Sequence, residues 1–99
     1  MKKIKTVVTK TAAELAEVLG LSPAEGAEIE IRSELNSKII DVVKRKSLTH
    51  VQVAKLAGTS RTRITAIMNR NTLDISTDLL LRVLGVLGYT SKITFKKAA

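Results

Sequence analysis

Cysteine is absent from this chain of 99 residues, and histidine occurs once, at position 50. Without thiols there is no disulfide framework and no thiolate metal site. One imidazole cannot build a histidine-clustered metal site either. Aromatic side chains are nearly as scarce, with Tyr89 and Phe95 the whole complement. Single-strand and RNA-binding sheets stack bases on aromatic platforms, so duplex DNA becomes the favoured nucleic acid. Long hydrophobic runs are missing too. The most apolar stretch, Leu79 to Leu87, is broken by Arg82 and falls far below the roughly 20 residues that a spanning helix needs. The N-terminal MKKIKTVVTK is basic but lacks the apolar run of a signal peptide. The expectation is a cytoplasmic protein with no membrane partner.

Acid is also missing, but only locally. From Val42 to Leu73 there is no carboxylate, while Lys44, Arg45, Lys46, Lys55, Arg61, Arg63 and Arg70 all fall in that window. Residues 11 to 41 carry seven carboxylates against Arg32 and Lys38. The net charge of +8 is therefore concentrated on one segment. A one-signed basic face attracts a polyanion, the alternative being an ordinary solvated face. A chain this short makes one domain that buries about two thirds of its unfolded surface. Residues 1–10 read as a flexible basic arm, and residues 11–99 as a single folded domain.

Helix signals recur along that domain. Thr11 and Glu14 form a capping box ahead of Leu15, Val18 and Leu19, and Gly20 ends the helix. Ser22, Pro23 and Glu25 repeat the start signal, with proline at the first helical position. That second helix can run to Lys46, its acidic first half and basic last turn both suiting the helix dipole. Ile31, Leu35, Ile39, Val42 and Val43 share one side of it, which marks it as scaffold. Thr49 and Gln52 form a third capping box, and Val53, Ala54, Leu56 and Ala57 are the predicted buried side of the helix they open. Gly58 closes it, because a tight turn between helices favours a residue that tolerates positive φ.

Ser60 caps the next helix, whose Ile64, Ile67 and Met68 fall together on the inward side. Thr62, Thr65, Ala66 and Asn69 project on the other, flanked by Arg61 and Arg63. A surface that is small and polar along its middle, with long cations at its edges, fits a major groove. Arg61, Thr62, Thr65 and Ala66 are assigned to base reading. Arginine can bond guanine through two parallel hydrogen bonds, threonine can meet a thymine methyl, and alanine permits close approach. Lys46, Thr49, His50, Arg63, Asn69 and Arg70 are assigned to phosphate. For Arg61 and Arg63 the alternative is contact with phosphate or solvent alone, and for His50 an exposed position without contact.

The motif THVQVAKLAGTSRTRITAIMNRN, residues 49–70 at its core, resembles the Xre or Cro/cI-type helix-turn-helix. Thr49, Ala54, Gly58, Ser60, Arg63 and Ile64 match that pattern. His50 stands where the family commonly has glutamine, and Arg61 replaces the glutamine that often leads the reading helix, so no operator sequence carries over. With LGLSPAEGAEIEIRSEL before it and ISTDLLLRVLGVLGYTSKITF after it, the resemblance extends over residues 15 to 97 to small HigA-type antitoxins. It implies an all-α, five-helix, lambda-repressor-like domain, a double-stranded DNA partner, and a repressor that regulates its own operon. It also implies a cognate toxin. A toxin of the HigB type would be basic, so the acidic 11–41 segment is either its docking surface or a solvated helix face. A stand-alone or phage-type regulator is a further alternative.

From Ser76, Asp78 and the run Leu79 to Leu87, a last helix is predicted that is apolar nearly all round and so buried on two sides. Ser91 to Lys97 alternate as a short strand with Ile93 and Phe95 on one face. A lone strand needs a partner: its twin across a two-fold axis, a strand of another protein, or residues 3 to 8. Leu80, Leu84, Leu87, Ile93 and Phe95 are therefore assigned to a homodimer interface within residues 76–97. Two reading helices about 34 Å apart imply a palindromic operator. Catalysis is not expected: Glu14 with Glu17, or Glu28 with Glu30, lie on helix surfaces with no nucleophile or glycine-rich loop nearby. No catalytic residue, metal or cofactor is assigned.

Overall fold

Ser22 opens the first helix of the computed structural model by the exchange its sequence predicts. Its N–H donates to Glu25 Oε1 at 2.9 Å, and Glu25 N–H donates to Ser22 Oγ at 3.1 Å. The Ser22 N–H foremost, and then the Ser22 hydroxyl, hold the Glu25 carboxyl below its ordinary value by hydrogen bonding to it. The structure describes Gly20, residues 22–92, and residues 94, 95 and 97. The helix expected over Thr11 to Leu19, the basic arm 1–10 and Ile93 lie outside them.

Among the described residues there are four helices and no strand: α1 (Pro23–Arg45), α2 (His50–Ala57), α3 (Arg61–Met68) and α4 (Thr77–Val86). The chain divides into two units between Glu34 and Leu35, and the second holds the motif. Its core gathers Leu35, Ile39, Val42 and Val43 from α1, Val53, Ala54 and Ala57 from α2, Ile64 and Ile67 from α3, and Leu79, Leu80, Val83 and Leu84 from α4. α2 packs against both α3 and α4. The capping boxes and serine caps set the three starts. Thr49 and Gln52 exchange bonds at 2.8 and 3.1 Å, and Ser60 and Ser76 accept from Arg63 N–H and Leu79 N–H.

All four helices end in the same motif, a left-handed residue after the last turn with one N–H reaching back five residues and another three. Leu48 N–H bonds Val43 O, Thr59 bonds Ala54, Asn71 bonds Ala66 and Tyr89 bonds Leu84, at 3.1, 3.0, 2.8 and 3.2 Å. Gly58 and Gly88 take the left-handed place at φ +66° and +95°, but Ser47 and Arg70 take it at +52° and +58°. For a residue with a Cβ that conformation costs about 1–2 kcal/mol.

Side chains from distant positions then cover helix carbonyl ends. Arg82 Nη1 donates to Ala57 O at 3.2 Å, Asn36 Nδ2 to Ile67 O at 2.8 Å, and Lys46 Nζ to Leu87 O at 3.1 Å. Two of the three are cations at negative helix ends, where the dipole favours them. Tyr89 is also committed internally: Arg45 Nη2 donates to its hydroxyl at 3.2 Å and Lys38 Nζ stands 4.8 Å from its ring centroid. The Tyr89 bond and Asp41 raise the Arg45 guanidinium above its ordinary value.

Three sequence expectations need correction. Ile31 and Leu56, assigned to buried sides, are 46% and 55% exposed: the core of the second unit begins at Leu35, and the buried arc of α2 closes at Val53, Ala54 and Ala57. Leu80, Leu84 and Leu87, assigned to a dimer interface, lie in the protomer's own core. One chain covers more of α4 than its apolar run suggested, because α2 packs against it, and the apolar surface left on it is Leu81 and Val86. Finally, described residues 91, 92, 94, 95 and 97 carry no strand, as a strand without a ladder partner cannot form one.

Candidate nucleic-acid interface

Gly58 turns the chain sharply enough for α3 to cross α2, and the Ser60 cap sets the rotation of α3 about its axis. With Ile64 and Ile67 buried beneath, Arg61, Thr62, Arg63 and Asn69 are exposed and Thr65 and Ala66 half-buried. Ala66 and Met68 lean against the core, so the middle of the outward face is a shallow floor between longer side chains. Arg61 and Arg63 stand in the first turn of α3, where the N–H groups not bonded within the helix add to the positive field.

The six residues assigned to phosphate are placed unequally. Thr49 is exposed, but its hydroxyl accepts from Gln52 N–H as a helix cap. His50 does not stand apart: its Nδ1 lies 2.8 Å from Thr65 Oγ1, tying the first residue of α2 to the outer face of α3. Lys46 uses one of its three donors on Leu87 O. Arg70 extends from its left-handed backbone to donate to Ser37 Oγ at 3.0 Å, and Asn69 ends α3, exposed.

Arg63 lines an open cleft of ≈ 290 Å³ with Gly58, Thr59, Asp74, Ser76 and Arg82. Asp74 thus lines the same cleft as Arg63 and Arg82. Arg61 has no carboxylate in its stretch of chain.

Several residues that shape this surface escaped sequence reading. Asn36 is the one buried polar side chain among the described residues, and its bond to Ile67 O anchors the far end of α3. A polar residue in the 36, 39, 40, 43 register of an apolar helix face was the available signal. Ser37 and Arg82 gave none, since their partners lie 33 and 25 residues away.

Chemically, the face can attract and orient an anionic polymer and present small polar groups to it. No group of three or more histidine, cysteine or carboxylate side chains among the described residues could hold a metal ion. No described helix is long and apolar enough to cross a membrane. A family model described as a helix-turn-helix domain matches residues 18–96. Neither a curated protein nor a solved structure matches the chain.

Proposed function

The chain belongs to the helix-turn-helix domain family, and from that premise we propose a sequence-specific repressor of double-stranded DNA. The observation that carries this reading is α3: capped by Ser60, buried along Ile64 and Ile67, and outwardly small and polar between exposed arginines. Arg61, Thr62, Thr65 and Ala66 read base edges, while Thr49, Asn69, Arg70, Arg63 and Lys46 serve the backbone. The protein is a small regulator of the Xre and HigA kind, working in the cytoplasm as the antitoxin of an operon whose promoter it represses.

It acts as a homodimer on a palindromic operator. Supporting this are Leu81 and Val86, exposed on α4, and the nearly bare Phe95 (93%). A second role, docking a basic toxin, is favoured by one feature of α1: Ile29 and Ile31 are exposed on a helical stretch that also carries Glu28, Glu30 and Glu34.

The test is fluorescence anisotropy with duplex from immediately upstream of the gene against a scrambled duplex. We expect a preference of about 100-fold or more. Affinity should fall about 1,000-fold between about 50 and 200 mM salt if six phosphates are neutralised. Equal, weak binding to both duplexes at every salt concentration would refute the repressor reading and leave toxin docking as the main role.

A further inference from the structure

We propose that His50 is a positioning residue for Thr65, fixing which hydrogen-bonding partner the Thr65 hydroxyl offers to a base edge. The proposal rests on the duplex-reading function above and assigns a mechanism within it.

A helical threonine divides between two rotamers because its hydroxyl can bond back to a carbonyl one turn earlier. The contact of 2.8 Å between His50 Nδ1 and Thr65 Oγ1 competes with that back-bond and selects the rotamer that faces α2. The hydroxyl has one hydrogen and two lone pairs. When Nδ1 carries no hydrogen, Thr65 donates to it, and only lone pairs are left for DNA. That state suits the amino groups of adenine or cytosine. When Nδ1 carries a hydrogen, it donates to Oγ1 and the hydroxyl hydrogen is free to turn outward, toward the acceptors of guanine or thymine. One side chain on α2 thereby sets the polarity of a reading group on α3.

The charged groups around this pair are placed so that they do not replace it. On the helices packed against α2, Arg63 and Arg82 sit at its far end, by Gly58 and Ala57. Arg61 is one turn before Thr65, and Asp78 stands in the first turn of α4. Lys55 is in the last turn of α2, and Lys46 is tied to Leu87.

The experiment is a double-mutant cycle on the full chain, with anisotropy on an operator duplex and its single-base-pair variants. Thr65→Val should lose about fivefold of the preference at one base pair, the worth of one hydrogen bond. His50→Ala should alter the same base pair and add nothing in the Thr65→Val background. His50→Asn puts an amide atom where Nδ1 was, so it should keep the preference that His50→Ala loses. Additive effects, or a preference lost as fully in His50→Asn as in His50→Ala, would overturn the proposal while leaving the repressor reading intact. Wild-type protein that binds every duplex alike would sink the repressor reading itself, and this proposal with it.

Discussion

Arg70 ends α3 at φ +58°, in a conformation that glycine adopts freely and arginine does not, so stability and binding should respond to it in opposite directions. Comparing Arg70→Gly with Arg70→Ala isolates the backbone term, because both variants lose the bond to Ser37 Oγ. Alanine keeps the left-handed cost of about 1–2 kcal/mol. Glycine removes it but gives back about 0.4–1 kcal/mol through the entropy of its unfolded state. Arg70→Gly should therefore be the more stable by about 0.5–1 kcal/mol, a gap of about 2–8 °C in melting temperature for a domain of this size. Thermal melts followed by circular dichroism read it directly. Both variants should bind duplex more weakly and lose about 0.9 from the slope of log affinity against log salt, the signature of one phosphate contact. If Arg70→Ala melts at or above Arg70→Gly, the left-handed strain is not real. If the salt slope is unchanged in both, Arg70 holds Ser37 and nothing else.

Other substitutions separate scaffold from surface. Asn36→Ala strips one of two donors from Ile67 O, which keeps the Arg70 N–H at 3.1 Å, so urea titration should show a loss of about 1 kcal/mol, the net worth of one hydrogen bond. A loss within error would mean that solvent replaces the amide there. Leu84→Asp puts a charge into the core at a position 5% exposed and should unfold the second unit. Leu81→Asp, 40% exposed, should keep the fold and weaken self-association in sedimentation velocity; a Leu84→Asp protein with full helicity would show that the packing around α4 is misassigned. Acid should loosen the start of α1, because the Glu25 carboxyl sits below its ordinary value. Its contribution is present above the unfolded-state value and disappears as pH falls through the lowered one. Carbon chemical shifts of residues 22–28 should follow that titration in wild type and stay flat in Glu25→Gln.

What the sequence determined by itself is local or periodic. Ser22 with Glu25, Thr49 with Gln52, Ser60, Ser76 and Gly58 act within a few residues of themselves, so the starts of α1 to α4 and the turn at Gly58 followed from spacing alone. So did the buried pairs Ile39 and Val42, Val53 and Ala57, and Ile64 and Ile67, because a 3.6-residue period puts them on one face whatever lies opposite. The outward set on α3 is the complement of that face, and was legible for the same reason. Only the tertiary structure decided where a face stops and what closes on it. Leu56 and Ile31 have the right residue type but no opposing element, whereas Leu80, Leu84 and Leu87 are covered by a core larger than an isolated helix reveals. Nor could spacing show that Ser47 and Arg70 end helices in a glycine's conformation. The bonds of Asn36, Arg82 and Lys46 to carbonyls 31, 25 and 41 residues away, and of His50 to Thr65, exist because packing brings those atoms together, and hydrogen bonds across such distances leave no periodic trace in the chain.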